Sequence, residues 1–411
     1  MLGMSTVIQS LRKTWDTYSR KLRKKVAKKH PYVSIASYIN ECPDKTQLLS
    51  TRTEHLVYAT AMNNPYAEYA GKNAVEQSEN VILHKGRTNE VRTVLITNAT
   101  CYAYSDVVLL EDGRCLYEIK EREETRSITN FMDNAALWQD TEEWCKIKPC
   151  KKKQHIKSAI KIGGLFGFNF YHVLFQSMPK LFYTDGIDKN VPIFVERKVA
   201  EIGNLEQLLR WLNKDDREVL YMDEDVAYEV DELYIVSSPN LCIPNFRDGQ
   251  SLYEPKAQYS VECIERLSKE LLPRKADIKT PEKIYICRRK ATSLRGYNEE
   301  EVFEAVRQVG YVDVYPEQMS ISEQIALFHN AKEIIAPEGA ALSNLMFIQP
   351  ECKVIILYCM PTLSSEFASL VKMRGASITE IYDVPNDIQH ASIQRSYRIE
   401  PDVLLEVLNS K

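Results

Sequence analysis

The sequence predicts an α/β protein with two Rossmann-like domains facing each other across a cleft. Three observations carry that expectation. From residue 158 onward, short runs rich in Val, Ile and Tyr alternate with stretches of helical period, the pattern of a parallel sheet covered on both faces. The alternation breaks once, from Ser237 to Pro255, where Pro239, Pro244, Gly249 and Pro255 mark a linker. The chain has 411 residues, 44% apolar and 27% charged, which is enough for more than one core and unlike a disordered or fibrous chain.

The elements follow in order. In residues 4–30, Val7, Ile8, Leu11, Trp15, Tyr18, Leu22 and Val26 recur at three- and four-residue steps, with Lys and Arg around them, and Pro31 closes the segment. Residues 50–130 read as short strands and turns, with a hairpin from Asp106 to Ile119 around Glu111-Asp112-Gly113-Arg114. Six lysines within residues 146–157 read as a solvated loop. A helix is expected over 170–183, a strand over 191–195, a helix over 204–213 and a strand over 233–236. The second half alternates more regularly. Helices are expected over 257–271, 298–309, 320–331, 341–348, 364–374 and 402–409. Strands are expected at 283–287, 311–315, 333–336, 353–358 and 378–382. Asn298 with Glu301, and Ser320 with Glu323, have the spacing of capping boxes. The resulting division is a basic amphipathic helix at 1–31, an N-terminal α/β domain at 32–240, a linker at 241–256, a C-terminal Rossmann-like domain at 257–395 and a C-terminal helix at 396–411.

Charge separates along the chain. The formal net charge is −4. Residues 1–30 carry nine Lys or Arg against Asp16, a net +8, and the remainder holds 44 basic and 56 acidic side chains, a net −12. An acidic body argues against nucleic-acid binding. The basic helix fits an anionic membrane surface. The longest apolar run is seven residues, Val354 to Met360, against roughly 20 for a spanning helix. No secretion signal is read, since charge begins at Arg12. The expectation is a cytoplasmic protein, peripheral on the cytoplasmic face of the membrane. Its ten cysteines have no zinc spacing and are expected as reduced thiols. The sequon Asn98-Ala99-Thr100 is read as chance.

Ligands of open α/β sheets sit beyond the carboxyl ends of strands, so three turns stand out. At Ala336-Pro337-Glu338-Gly339-Ala340-Ala341-Leu342-Ser343-Asn344, small residues open the backbone to a ligand, and a helix N-terminus follows, suited to a diphosphate. At Arg288-Arg289-Lys290, with Arg295 close behind, cations end a strand where they can neutralise that diphosphate. At Gly163-Gly164-Leu165-Phe166-Gly167-Phe168-Asn169-Phe170-Tyr171-His172, a glycine- and aromatic-rich loop enters a helix, and His172 is a candidate proton acceptor.

These residues resemble glycosyltransferase family 61. Asn169-Phe170-Tyr171-His172-Val173-Leu174 resembles that family's N-Y-Y-H-W-L segment. Tyr285-Ile286-Cys287-Arg288-Arg289-Lys290, followed by Asn298-Glu299-Glu300, is a second stretch. The third runs from Gln324 and Ala331 into Ala336 to Phe347, and is similar to the family's P-H-G-A-G-L-x-N-x-x-F signature. The resemblance spans roughly residues 90–360. It implies a GT-B-like fold and an inverting transferase that takes a nucleotide sugar, with no cofactor and no obligatory metal. The donor would bind the C-terminal domain at Arg288, Arg289, Lys290, Gly339, Ala340, Ala341, Leu342, Ser343 and Asn344. A saccharide or lipid-linked saccharide acceptor would bind the N-terminal domain near Asn169 and Tyr171. The family often has His where this chain has Glu338, so the base is open between His172, Glu338 and a further acid. The pathway implied is surface or capsular polysaccharide synthesis by a hexosyl- or pentosyltransferase.

Two rival readings are carried forward. Asp223-Glu224-Asp225 after an apolar strand is the Asp-x-Asp arrangement of metal-dependent transferases of the A type. The same fold also serves nucleotide-sugar epimerases, and a non-catalytic membrane-surface assembly protein would need no site at all.

Overall fold

A computed structural model describes residues 32–37, 45–61, 66–121, 123–126, 134–242, 257–289, 295–361, 366–387 and 395–410. The expected basic helix at 1–31, the linker from residue 243 to 256 and the expected donor residue Lys290 lie outside the described residues.

The fold is mixed α/β, with three sheets among the described residues. The first sheet runs in the order β11 (Val219–Met222), β10 (Ile193–Glu196), β9 (Lys152–Lys161), β12 (Val226–Val236), β4 (Val81–Tyr102), β2 (Thr46–Ala61), β14 (Ala257–Ser260) and β13 (Leu241–Cys242). A hairpin of β5 (Val107–Leu109) and β6 (Cys115–Tyr117) branches from β4, turning at Gly113 as expected. A small sheet joins β1 (Val33–Ser34), β8 (Trp144–Ile147) and β7 (Leu137–Asp140). The second large sheet, called the second sheet below, runs β16 (Val312–Val314), β15 (Lys283–Ile286), β17 (Glu333–Pro337), β18 (Lys353–Tyr358), β19 (Ser377–Asp383) and β3 (Asn73–Glu76).

The first sheet departs from the expected Rossmann-like pattern on one side. Its β9, β10, β11 and β12 are parallel, but β4 and β2 are antiparallel strands of 22 and 16 residues. Polar residues such as Arg52, Thr53, His55, Thr88 and Glu90 interrupt their apolar runs, which is why the sequence reads as short strands. An antiparallel sheet tolerates such residues on its wet face. The pairing of β2 with β4 shifts register between His55 and Val57. There Gly86 passes so close to the partner strand that a Cβ would sit 2.6 Å from the Leu56 carbonyl oxygen. The lysine run is a loop only at Lys148 and Lys151, since Lys146 lies in β8 and Lys152, Lys153 and Lys157 lie in β9. Lys152 to Lys157 open β9, where Lys153 pairs with Glu229 at 2.6 Å and His155 with Asp231 at 2.7 Å across to β12.

The second half follows the sequence closely. Strands β15 to β19 are all parallel. Taken in chain order they lie second, first, third, fourth, fifth, so the order reverses between β15 and β17. The helix Ile321–Asn330 starts on the expected capping box, with Ser320 and Glu323 bonded reciprocally. Asn298 does not complete its box. Its side chain instead accepts from the Ile399 N–H and donates to the Ile399 carbonyl, both at 2.9 Å, tying the helix Glu299–Arg307 to the chain before the last helix. The expected helix at 341–348 is a 3-10 helix, Ala340–Phe347.

The expected boundary at 241–256 is crossed in both directions. Strand β3, from the N-terminal half, closes the second sheet against β19. Strand β14, beyond the linker, extends the first sheet against β2. Between the sheets the halves share one apolar core rather than the expected open cleft. Tyr171 and Phe175 belong to the same cluster as Leu342, Phe347 and Phe367, and the rings of Tyr171 and Phe367 stand 5.7 Å apart.

Gly86→Ala forces a methyl group into the Leu56 carbonyl and is expected to cost about 1–3 kcal/mol, read as a lower midpoint in urea. A loss under about 0.5 kcal/mol would mean that the two long strands do not cross as closely as described.

Candidate active site

The expected donor side lies where the order of the second large sheet reverses, the place where open parallel sheets leave a crevice beyond their strand ends. Strand β15 delivers Arg288 and strand β17 delivers Glu338 and Gly339 to the same spot. Arg288 Nη1 donates to the Glu338 carbonyl at 2.8 Å. Arg295 Nη1 donates to Glu338 Oε2 at 2.6 Å, with both side chains largely shielded. The Arg288 backbone N–H is held by Glu299 Oε1 at 2.7 Å. Tyr297 and Tyr397 stack at 4.9 Å beside this group. Burial and the nearby Arg295 cation lower the Arg288 pKa. Burial works most strongly against the charge of Arg295 as well, but Glu338, Cys359, Glu366 and Tyr397 together outweigh it, and its pKa is raised.

Of the other expected donor residues, only some reach this spot. Gly339, Ala340 and Ala341 are half-buried. Gly339 is extended, and a Cβ there would meet Arg288 Nη1 only at 3.7 Å, so the unliganded backbone does not itself demand glycine. Arg289 turns away. Its Nη2 donates to Asp313 Oδ2 at 2.6 Å, and its guanidinium lies 5.0 Å from the Phe303 ring centre. Leu342, Ser343 and Asn344 are fully buried. Asn344 Nδ2 donates to Gln324 Oε1 at 2.9 Å, and Gln324 Nε2 to the Pro316 carbonyl at 2.8 Å. Asn344 therefore locks the 3-10 helix onto the helix Ile321–Asn330 instead of facing a donor.

The opposite side is a pocket lined by His172, Phe166, Gln176, Asp106, Glu118 and Lys180, among others. His172 ends a short α turn, Phe170–His172, that runs into a π segment, Val173–Ser177, and a 3-10 turn, Met178–Tyr183. Such π segments gather at functional sites. His172 Nδ1 lies 2.6 Å from Gln176 Oε1, and Phe166 stacks on the imidazole at 4.3 Å. Burial lowers the His172 pKa to about 4, so it is neutral at pH 7. Asn169 and Tyr171, expected at the acceptor, serve the fold. Asn169 caps the turn by accepting from the Tyr171 N–H, and Tyr171 is buried with its hydroxyl 2.6 Å from that of Tyr259.

Behind the pocket sits a group of buried charges that sequence reasoning missed. Lys161 donates to the carbonyls of Ser105 and Gly163 at 2.7 and 2.9 Å. Lys180 approaches Glu118 at 3.5 Å. Burial raises the pKa of Asp106 and of Glu196, with Lys180 and Lys161 pulling the first back and Lys161 the second. The glycines explain themselves here. A Cβ on Gly163 or Gly167 would collide with the Glu196 carboxylate, and one on Gly164 with that of Asp106. The run Gly163-Gly164-x-x-Gly167 was the visible signal, since a loop stripped of side chains must lie on something.

The two sides adjoin. The 3-10 helix Ala340–Phe347 packs on the turn that carries His172, and the charge of Glu366 is felt by both Arg295 and Tyr171. The Asp-x-Asp pair stands apart, in the turn between β11 and β12. There Asp223 is held by Arg197 at 3.0 Å, and Asp225 takes a left-handed φ of +64°.

An anion-suited turn at a sheet reversal thus lies beside a pocket that holds a half-buried, neutral imidazole. The family model described as glycosyltransferase 61 matches residues 170–355, from the His172 turn into β18. Through this region the chain is similar to glycosyltransferase family 61. No curated protein matches it.

Gly163→Ala is expected to destabilise the fold by about 1–3 kcal/mol. Combining it with Glu196→Ala should recover part of that loss. Urea unfolding of the single and double variants reads the coupling, and strict additivity would detach the glycine loop from the buried carboxylate.

Proposed function

We propose that this chain is an inverting, metal-independent glycosyltransferase that moves a hexosyl or pentosyl group from a nucleotide sugar to a saccharide or lipid-linked saccharide acceptor. The observation that carries the reading is the meeting of Arg288, Arg295 and the Gly339 turn at the sheet reversal, directly beside the His172 pocket. Arg288 is disfavoured by burial and by Arg295; a bound diphosphate would relieve both effects. In this reading the second sheet corresponds to the donor half of a GT-B fold.

The mechanism is a single displacement. His172 accepts the proton of the attacking acceptor hydroxyl. The acceptor oxygen forms its bond to the anomeric carbon as the bond to the nucleoside diphosphate breaks on the opposite face. Arg288, Arg295 and the N–H groups that open the 3-10 helix stabilise the departing charge. Holding donor and acceptor on adjoining elements supplies orientation.

The site serves surface polysaccharide synthesis of the bacterial capsular kind, from the cytoplasmic side of the membrane. The amphipathic, +8 segment 1–30 would hold the enzyme at an anionic surface. No described helix is long and apolar enough to cross a membrane.

The test is a screen of the purified chain against common nucleotide sugars in excess EDTA, reading nucleotide binding and released nucleoside diphosphate. Turnover that survives EDTA is expected, and neither binding nor release would end the proposal. Arg288→Ala should then raise the barrier by about 2–4 kcal/mol at unchanged melting temperature. Deleting residues 1–30 should reduce co-sedimentation with anionic vesicles while leaving nucleotide binding intact. Loss of nucleotide binding in a folded truncation would put the segment in the active site.

A further inference from the structure

We propose that Gln176 is a positioning residue that fixes the tautomer of His172, leaving Nε2 as the nitrogen that takes a proton. The inference deepens the reading of His172 as the base and rests on it.

The argument follows the donors and acceptors one at a time. Gln176 Nε2 donates to the Cys242 carbonyl at 3.4 Å. A carbonyl only accepts, so the amide nitrogen of Gln176 must face Cys242, and its Oε1 is turned to His172. Oε1 also only accepts, so the 2.6 Å contact requires the hydrogen on His172 Nδ1. A neutral imidazole carries one N–H. With Nδ1 occupied, the lone pair belongs to Nε2.

The ring plane is fixed as well. Phe166 stacks on the imidazole with 28° between the planes, and Tyr171 meets it edge-on at 5.1 Å. The imidazole therefore can neither flip easily nor exchange its two nitrogens between Gln176 and the pocket. The titratable groups around it are Asp106, Glu118, Lys180 and Cys242 lining the same pocket, and Tyr171 on the preceding residue. The ring nitrogen Nδ1 is engaged by Gln176 and not by any of these groups.

The pairing matters because a base must be ready before its substrate arrives. An imidazole with the hydrogen on Nε2 would present a donor to the acceptor hydroxyl, and ring reorganisation would have to precede transfer. An amide holds the tautomer without charging the ring. A carboxylate in its place would hold the same hydrogen but favour the imidazolium, which has no lone pair to offer.

The experiment uses the full chain, labelled with ¹⁵N at its seven histidines, with the His172 resonance assigned by its loss in His172→Gln. At pH 7 the wild-type ring should carry its hydrogen on Nδ1, with Nε2 bare; a hydrogen on Nε2 overturns the proposal. In Gln176→Glu the midpoint of His172 protonation should rise by about 1–3 pH units, as an opposite charge does at this range; an unmoved midpoint overturns it. With the donor found by the screen above, Gln176→Leu should lower kcat about 10- to 100-fold with donor KM unchanged, and an unaltered kcat removes the positioning role. The resonance experiments need no sugar. An Nδ1–H ring in a chain that turns over no nucleotide sugar would keep the positioning and discard the transferase mechanism, whereas turnover with an Nε2–H ring would do the reverse.

Discussion

The contact on which the site depends is the seating of the 3-10 helix Ala340–Phe347. One side of it rests on the turn carrying His172 and the other on the helix Ile321–Asn330. Its entry is the Glu338-Gly339 turn, and its middle is locked by the Asn344–Gln324 bond. Every residue from Leu342 to Phe347 is buried, so this short element has no freedom to slide. Because it touches both halves, the anion-suited turn and the imidazole keep a fixed relation that neither sheet could impose alone. A 3-10 helix has poorer internal bonds than an α-helix, so its conformation here is held by what surrounds it.

Burial is the second constraint, and on each side it disfavours whichever charge a group carries. On the donor side it disfavours the Arg288 cation, which makes an incoming anion more welcome there than at an exposed arginine. On the other side it keeps His172 neutral and raises the Asp106 and Glu196 carboxyls, while Lys161 and Lys180 oppose that rise. These groups are oriented by carbonyls, amides and one another before any ligand binds. That is preorganisation in the electrostatic sense: the cost of arranging dipoles is met on folding and not during transfer.

The second half of the fold was legible because buried parallel strands read as nearly unbroken apolar runs, and β15, β17 and β18 do so. The long antiparallel β2 and β4 were not, because only one of their faces is apolar. The exchange of β3 and β14 between sheets left no local trace, since a four-residue strand looks the same whichever sheet it joins. The site was half legible. Arg288 and Gly339 sit where strand ends predicted them. Arg289, Asn344, Asn169 and Tyr171 bond within the scaffold and Leu342 and Ser343 are buried in it, because a motif records that a residue type recurs without saying which way it points. Asp106, Glu118 and Glu196 come from three separate segments, and spacing along the chain cannot gather them. Only the glycines packed on Glu196 and Asp106 betrayed them.

Glu338 narrows what the chemistry can use. In the sequence it looked hostile to a diphosphate, and it was a rival to His172 as base. In the fold its Oε2 accepts from Arg295 and its carbonyl from Arg288, so the acid sits within the cation group. A diphosphate entering this turn must therefore share Arg295 with Glu338 or displace it, and the carboxylate serves as the resident anion until then. A base has to reach the acceptor hydroxyl, and Glu338 is committed to the donor side by that ion pair. His172 has the opposite attributes: it is neutral, it lines the pocket across the 3-10 helix, and its Nδ1 is engaged by Gln176. Glu338 and His172 thus divide by position, Glu338 beside Arg295 at the Gly339 turn and His172 in the pocket across the 3-10 helix.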